Sequence, residues 1–275
     1  MVELNATTRA AIFQADGVAL GTYVLDDSHK PYLHPLRTRA GHVVSLAMPY
    51  DHRHHKGLMY ALATDEINFW EEEGDEDHPR IGRQVQSDIQ FDFSVDRPGL
   101  RQDLSWVDDM GIPIFHEVRS IHCHLVGDQT VRWTWSTRIE SLIVQRLRIS
   151  PWSVPDRSGR MINYHGLGLR FPRSFSGKPD RLQVRTEAGD TSTAEVHGTA
   201  IPSVEVAGPV DGAWPAPVVS VEVRQTDTCH DFCVLADSFV YVSVGPSTAG
   251  PVELAAHDVL SATYYVDVSD RLTAR

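Results

Sequence analysis

Cysteine is scarce in this sequence, with Cys123, Cys229 and Cys233 the three present among 275 residues. A small and odd number of cysteines argues against a scaffold held by disulfides. The segment from Cys229 to Cys233 also lacks the second ligand pair of a structural zinc site. Its apolar continuation favours a buried strand, in which free cysteine is a small core residue.

Basic residues and long apolar runs are also in short supply. The chain has 25 Lys and Arg against 37 Asp and Glu, a formal net charge of −12. Nucleic acids and anionic membranes are bound by basic patches, so this balance argues against both as partners. No apolar run has the length of a membrane span, and Met1 to Ala10 lacks the apolar core of a secretory signal. We therefore expect a soluble, cytoplasmic protein.

Motifs for covalent catalysis and for nucleotide binding are missing. The sequence has no Gly-x-Ser-x-Gly elbow and no phosphate-binding glycine loop. Gly166-Leu167-Gly168 is not followed by a helix pattern, so it does not match a dinucleotide-binding loop. No nucleotide cofactor is expected.

Helical periodicity is weak, with at most a short helix near Glu253 to Ala256, and alternation of period two dominates instead. In Val131 to Ile139 the residues Val131, Trp133 and Trp135 share one predicted face. More than ten such segments, separated by Gly, Pro, Asp and Asn, predict an all-β fold. We expect a large antiparallel β-sandwich that forms a single domain over residues 1–275. Pro202 to Pro217 is interpreted as a long loop inside it.

The densest chemical signal is a histidine cluster, Asp51-His52-Arg53-His54-His55. It lies between an alternating segment, Val43 to Met48, and an apolar one, Leu58 to Ala63, which predicts a strand, a loop and a strand. Imidazole acts as acid, base or metal ligand near neutral pH. A cluster placed between two strands predicts a site supported by a rigid scaffold.

Two chemistries remain open for this cluster. If residues 52–54 are extended, His52 and His54 point to one side and can bind a divalent metal of unknown identity, with His34 as third ligand. Asp51 or His55 would then orient a ligating ring. Without a metal, the same side chains would serve as acid and base, with Asp51 orienting a histidine. The structural alternative is a surface loop whose polar groups cap turns.

A second group of candidates follows at Asn68-Phe69-Trp70-Glu71. Six acidic residues lie between Glu71 and Asp77; they are typical of a solvated loop and do not match a calcium-binding EF-hand. Glu71 stands apart because it follows Trp70 directly. Aromatic rings stack on sugar rings, so Trp70, Asn68 and Arg83 are predicted to line a sugar pocket, although core packing explains Trp70 equally well.

The last candidates are His165 and Arg170. Alternation places His165 on the face opposite to Gly166, Gly168 and Arg170. Glycines inside a strand often mark the close approach of a ligand or of another backbone. We therefore include His165 and Arg170 among the substrate-binding candidates.

These motifs together resemble the PmoA-like family of soluble bacterial proteins, whose name refers to a methane oxygenase. The resemblance covers roughly the whole chain and rests on His34-Pro35, Asp51-His52-x-His54-His55-x-Gly57, Asn68-Phe69-Trp70 with Glu71 or Glu72, Gly82-Arg83, and Gly166-Leu167-Gly168-x-Arg170. The chain departs from the pattern at Arg53, Lys56 and His165, where Pro, Arg and a small residue are expected. The resemblance implies a soluble β-sandwich similar to the galactose mutarotase type and a link to sugar catabolism.

Three functional hypotheses follow. The first is an enzyme that acts on a sugar-like metabolite as a lyase, hydrolase or isomerase, with Asp51, His52, His54, His55 and Glu71 as catalytic candidates. The second is an oxygenase that uses iron or copper on the same histidines. The third is a sugar-binding module without turnover.

Overall fold

The computed structural model describes residues 1–74, 80–176 and 182–271. Asp75 to Asp77 of the acidic segment lie outside the described residues. Within these ranges two short helical turns occur, a 3₁₀ turn at Arg173–Phe175 and α1 at Thr193–Val196. The strands, in chain order, are β1 (Glu3–Ala6), β2 (Ala10–Ala15), β3 (Val18–Val24), β4 (Tyr32–Leu36), β5 (Leu58–Ala61), β6 (Arg83–Asp92), β7 (Gly99–Val107), β8 (Pro113–Val126), β9 (Thr130–Ser141), β10 (Gln145–Leu147), β11 (Val154–Pro155), β12 (Met161–Ile162), β13 (Gly166–Arg170), β14 (Gln183–Thr186), β15 (Gly189–Thr191), β16 (Thr199–Ala200), β17 (Ser203–Pro209), β18 (Val218–Gln225), β19 (Asp231–Leu235), β20 (Tyr241–Val244), β21 (Val252–Leu254) and β22 (Val259–Arg271).

Two nine-stranded sheets contain most of these strands. The first has the order β1-β2-β3-β4-β5-β13-β20-β19-β16, and the second has the order β15-β14-β17-β18-β22-β9-β8-β7-β6. Neighbouring strands pair in antiparallel fashion in both sheets. The prediction of an all-β fold with large antiparallel sheets is confirmed. Within the described ranges, no helix has the length and apolar character needed to cross a bilayer.

The main hydrophobic core lies between the two sheets. Alternation along β9 buries Val131, Trp133 and Trp135 as the sequence predicts. Trp133 meets Phe13 of the first sheet edge to face, with ring centroids 5.0 Å apart. Trp135 meets Tyr23 in the same way at 6.0 Å. Large rings from both sheets therefore interlock in one core.

The outer face of the first sheet carries a second, smaller apolar cluster. In β5, Leu58 and Tyr60 belong to the main core, whereas Met59 and Ala61 point the other way into this cluster. Such alternation is the normal consequence of a pleated strand. The residues of the second cluster are Tyr32, Met59, Ala61, Trp70, Ile162, Tyr164, Cys233 and Tyr241. Because β5 packs on the main core with one face, its other face and the second cluster can support a site on the outer side of the sheet.

Three predictions of local structure are wrong. Val43 to Met48 is not a strand: it makes isolated bridges, in which Val43 pairs with Arg37 and Ala47 pairs with Lys56. The predicted loop from Pro202 to Pro217 contains β17, which pairs with β18 over seven residues despite its glycine and proline. The predicted helix at Glu253 to Ala256 is instead β21, which pairs with β10.

Candidate active site on the outer face of the first sheet

The histidine cluster lies on a hairpin-like loop. Ala47 and Lys56 form an antiparallel bridge, and Met48 N–H donates to the His55 carbonyl at 2.7 Å. Inside the loop, His52 N–H donates to Pro49 at 3.0 Å and His55 N–H donates to His52 at 2.9 Å. Residues 52–54 are thus turns and not extended, which corrects the sequence-based geometry.

The turns nevertheless bring all three imidazoles together. The ring centroids of His52 and His55 lie 4.8 Å apart in a stacked arrangement. Those of His54 and His55 lie 4.6 Å apart, nearly perpendicular. His55 is therefore a central member of the cluster and not a peripheral one.

His55 is fixed by its surroundings. Arg170 Nη1 donates to His55 Nδ1 at 3.3 Å, and the ring stacks on Tyr241 at 5.3 Å. Because arginine can only donate, Nδ1 is the acceptor, and the neutral ring carries its proton on Nε2. Burial, with the nearby His54 and Arg170, lowers the pKa of His55 well below its ordinary value. This ring is neutral at physiological pH.

Asp51 and Arg170 form the charged side of the cluster. Asp51 accepts a hydrogen bond from Arg173 at 3.0 Å, and its carboxylate lies 3.8 Å from Arg170 and 3.5 Å from His52. Desolvation works against ionisation of Asp51, but its backbone amide, Arg173 and Arg170 outweigh it and lower its pKa. The Arg170 guanidinium also lies 3.8 Å above the Phe239 ring. Burial lowers the pKa of Arg170 to about 10, so it stays charged.

His54 is the third histidine of the cluster, and it faces the cavity. Within the described part of the chain, its ring nitrogens make no side-chain hydrogen bond, and the ring lines a cavity. Burial, then the charges of Lys30 and the neighbouring His52, lower the pKa of His54 to about 3. A neutral imidazole has one N–H donor and one acceptor nitrogen, so His54 can both donate to and accept from a ligand.

Glu71 is held in place by neighbouring side chains that include Asn68 and Tyr164. Asn68 Oδ1 accepts the backbone N–H groups of Trp70 at 2.8 Å and Glu71 at 3.1 Å, and Asn68 Nδ2 donates to Glu71 Oε2. The Tyr164 hydroxyl donates to Glu71 Oε1 at 3.2 Å and lies 2.6 Å from Ser150 Oγ. Asn68 is 2% exposed and does not line the cavity. Its part is to orient the carboxylate.

A cavity of about 500 Å³ joins these groups. Among the described residues, His52, His54, His55 and Glu71 lie on its lining together with eight others. A volume of this size is in the range of small-molecule sites. The other lining residues are Trp152, Val154, Tyr164, Leu235, Asp237, Ser238, Phe239 and Tyr241.

Trp70 and His165 lie behind this lining. Trp70 is fully buried in the second apolar cluster, so it is a core residue and does not line the sugar pocket that the sequence suggested. His165 lies 5.2 Å from the Trp70 ring, on the outer side of the sheet, although simple alternation places it opposite Gly168 and Arg170. Gly166 has a φ of +120°, and this kink interrupts the alternation. Burial lowers the pKa of His165 to about 3.

The close approach predicted at the glycines is made by the protein itself. A side chain at Gly168 would overlap the Tyr241 hydroxyl, and one at Gly166 would overlap the Val244 carbonyl. Glycine at position 168 therefore leaves room for the hydroxyl end of Tyr241 against β13.

His34 and Arg83 are not among the residues that line the cavity. His34 Nδ1 lies 2.8 Å from Ser45 Oγ, and burial lowers the pKa of His34 to about 4. Arg83 is exposed at the start of β6. His34, His52 and His54 do not form a set whose ligand atoms all lie within 4.8 Å of one another. The proposed third ligand is therefore not supplied by His34.

In the described part of the chain, the one set that meets that distance is Asp27, His29 and Glu72. Two lysines already occupy its carboxylates. Lys30 lies 3.0 Å from Glu72, and Lys56 lies 2.6 Å from Asp27 and 2.8 Å from Glu72. The carboxylates of this set neutralise the charges of two buried lysines, and this ion pairing explains why the set is there.

The cavity also contains residues that sequence reasoning missed. Trp152 is 71% exposed, and Phe239 and Tyr241 bring two more rings from the other end of the chain. An exposed tryptophan in a turn, directly after Pro151, is a signal that could have been noted. No local signal connects Phe239 with residue 52, because their contact depends on strand pairing far apart in sequence.

Comparisons with other proteins give two similar solved structures and one matching family. The fold is similar to that of a galactose 1-epimerase from Lactobacillus acidophilus NCFM, with a TM-score of 0.45 and 9% identity over 98% of this chain and 99% of that one. It is also similar to the galactosidase domain of the alpha-galactosidase-sucrose kinase AgaSK, with a TM-score of 0.39, 11% identity and coverage of 98% and 40%. None of the curated proteins matches the sequence. A family model matches residues 10–275, and the chain therefore belongs to DUF6807, a family of unknown function.

Proposed function

We propose that this protein is an enzyme that transfers protons on a sugar-like small molecule, as an isomerase or a lyase. The observation that supports this is one cavity lined by an oriented carboxylate, Glu71, by the neutral rings of His54 and His55 and by aromatic rings. Polar groups that converge in an aromatic pocket are typical of small-molecule sites. Aromatic faces such as that of Trp152 suit the C–H faces of a sugar ring.

Glu71 is the proposed base. Hydrogen bonds from Asn68 and Tyr164 orient the carboxylate. Such positioning is a large part of catalysis, because the reacting atoms must meet in a defined geometry. The proton would be taken from a carbon or hydroxyl of the sugar that lies over the carboxylate.

His54 is the proposed partner on the substrate oxygen. Its pKa of about 3 makes it neutral, so its N–H can donate a hydrogen bond without an unpaired buried charge. A neutral imidazole N–H can polarise a carbonyl while a carboxylate removes the neighbouring proton. His55, fixed by Arg170, supports the His54 ring from behind.

The test is deuterium exchange and isomer formation in D₂O, followed by ¹H NMR over a panel of sugars. Glu71→Gln is expected to reduce turnover at least about 100-fold, as removal of a general base typically does. The matched control is Glu73→Gln, because Glu73 is an exposed carboxylate of the same segment, paired at 3.7 Å with Arg53.

Two other outcomes would change the proposal. Sugar binding without exchange or conversion for any panel member would support a binding module instead. Turnover that disappears with a chelator and returns with a divalent ion would support a metal on His52 and His54, which stays a prediction.

A further inference from the structure

A turn beside the cavity is connected to Glu71 by a chain of hydrogen bonds. The turn runs from Ser150 to Ser153, and both the N–H and the hydroxyl of Ser153 donate to the Ser150 carbonyl, at 3.1 and 2.7 Å. The Trp152 N–H donates to Ser150 Oγ at 3.1 Å. The turn therefore buries Ser150, which is 3% exposed, and leaves the exposed Trp152 ring on the cavity lining.

The Ser150 hydroxyl reaches Glu71 through Tyr164. Ser150 Oγ lies 2.6 Å from the Tyr164 hydroxyl oxygen, which lies 3.2 Å from Glu71 Oε1. Burial, and then the charge of Glu71, raises the pKa of Tyr164, so the phenol keeps its hydrogen. A carboxylate can only accept, so Tyr164 donates that hydrogen to Glu71. The Ser150 hydroxyl must then be the donor to Tyr164, because the phenol has no second hydrogen.

The hydrogens of this chain all point in one direction. They run from the Trp152 N–H to Ser150, from Ser150 to Tyr164, and from Tyr164 to Glu71. Hydrogen bonds in such a series polarise and strengthen one another in a buried setting. Because Ser150 donates to the phenol oxygen, the phenol hydrogen is directed away from Ser150 and towards the carboxylate.

Asn163 holds the two hydroxyl-bearing residues next to each other. Its Oδ1 accepts the backbone N–H of Ser150 at 3.1 Å and that of Tyr164 at 3.0 Å. Asn163 is fully buried, and its Nδ2 donates to Ser247 Oγ at 3.1 Å. One fixed amide therefore sets the positions of both backbones, and the contact between the two hydroxyl groups is part of the fold.

We propose that Ser150 is a positioning residue for Glu71 and acts on it through the Tyr164 hydroxyl. The inference rests on the proposed function, in which Glu71 is the base. Ser150 is not among the residues that line the cavity, so its effect does not require contact with a ligand. Without the Ser150 hydroxyl, the phenol hydrogen is free to turn away from Glu71, and the carboxylate is held less firmly in the geometry that proton transfer needs.

The first experiment needs no substrate. It records the ¹³Cζ NMR signal of Tyr164 in the tyrosine-labelled full chain, assigned by its loss in Tyr164→Phe. Ser150→Ala removes the donor and Ser150→Cys replaces it with a weak one, so both should shift this signal, the alanine variant more. The matched control is Ser153→Ala, which removes a hydroxyl of the same turn that donates to a backbone carbonyl and should leave the Tyr164 signal at its wild-type position.

The second experiment measures turnover of a sugar that the exchange panel identifies. Ser150→Ala is expected to lower kcat about 5- to 10-fold, the effect of about one hydrogen bond, and to leave KM within about twofold of wild type. In a Tyr164→Phe background the same change should lower kcat less than about twofold, because the connection to Glu71 is already broken. Ser153→Ala should again behave as the wild type.

Either of two results would refute the role of Ser150 while leaving Glu71 as the base. One is an unchanged Tyr164 signal in both Ser150 variants, and the other is an equal loss of kcat with and without the Tyr164 hydroxyl. If no sugar of the panel is converted, the proposed function fails. The NMR comparison then still decides whether Ser150 directs the Tyr164 hydroxyl towards Glu71, so the two failures are distinguishable.

Discussion

At the scale of single residues, the site depends on histidines that stay uncharged. His54 and His55 face each other with ring centroids 4.6 Å apart, and Arg170 lies beside them. Two imidazolium ions at that separation, next to a guanidinium, would repel one another strongly. Burial and mutual repulsion therefore act in the same direction on the pKa values. Neutral rings give the cavity hydrogen-bond donors without positive charge.

The first prediction concerns the pH profile of His54. Its pKa of about 3 means that the ring is neutral throughout the range in which the protein would be assayed. We expect kcat/KM to show no break near pH 6.5, the ordinary histidine value, that can be assigned to this residue. The measurement is a pH–rate profile combined with ¹⁵N chemical shifts of the imidazoles. A break near that pH that disappears in His54→Asn would contradict the prediction.

The second prediction concerns His165 and acid stability. Burial, aided by Arg148 and His54, lowers its pKa to about 3, so unfolding at acid pH takes up a proton that the folded state excludes. The associated stability is fully present above about pH 6.5 and is lost as the pH falls toward the folded pKa. From about pH 7.5 to about pH 5 this loss is about 2 kcal/mol. His165→Leu should reduce the fall in unfolding free energy by about that amount in urea titrations; an unchanged slope would refute it.

At the scale of elements, the site is a loop placed against the outer faces of β5, β13 and β20. Leu46 N–H donates to the Arg170 carbonyl at 2.8 Å, and Arg170 N–H donates to Gly57 at 3.0 Å. The loop that carries the histidines is therefore bonded at both ends to β13. Its rings then contact Tyr241 of β20, the strand next to β13.

The third prediction tests this arrangement through Gly168→Ala. The added methyl group would overlap the Tyr241 hydroxyl and press on Trp70. We expect the free energy of unfolding to fall by about 1–3 kcal/mol, as over-packing typically costs, and ligand affinity to weaken because Tyr241 lines the cavity. Denaturant titration and ligand binding are the measurements. In a Tyr241→Phe background the cost should be smaller; an equal cost would show that the hydroxyl overlap is not its cause.

The arrangement of these elements explains which site residues the sequence could predict and which it could not. His52, His54, His55 and Glu71 were found because their signal is local, within one loop or next to one tryptophan. Trp152, Tyr164 and Phe239 were missed as lining residues, because they reach the cavity through strand pairings between distant segments. His34 and Arg83 were predicted as site residues because they lie near the motifs in the sequence, but neither lines the cavity. Side-chain direction, which backbone turns and Gly166 decide, was not readable from the pattern.

At the scale of the whole molecule, alternation predicted the two-sheet architecture but not what joins the sheets. In β8, Phe115 and Ile121 lie on the face that packs in the core. The same face carries Glu117 and Arg119, both fully buried. They pair with each other along the strand, but their further partners lie on other strands and on the other sheet, so the sequence alone could not show how they are fully satisfied. Membership of DUF6807 does not test the resemblance to the PmoA-like family, which stays a prediction.

Glu117 and Arg119 form the centre of a buried polar network. Arg119 makes bonds of 2.8 and 2.7 Å to Glu117 and one of 3.1 Å to the Tyr23 hydroxyl of the first sheet. Glu117 also accepts from Trp106 at 2.8 Å and from Thr137 at 2.7 Å. The Tyr23 link crosses the core, so this network connects the sheet that carries the site to the sheet that supports it. Removal of one charge would leave the other buried without compensation.

The last prediction is a double-mutant cycle on this pair. Arg119→Met is expected to lower the free energy of unfolding by about 3–5 kcal/mol, because the Glu117 carboxylate remains buried and unpaired. Adding Glu117→Gln removes that charge; its amide oxygen still accepts from Trp106 Nε1, and its amide nitrogen takes the place of the oxygen beside Thr137, whose hydroxyl can turn to accept. The double variant should therefore be more stable than the sum of the single changes predicts, by about 1–3 kcal/mol in urea denaturation. Additive effects would mean that the two charges stabilise the sandwich independently, through their neutral partners rather than through each other.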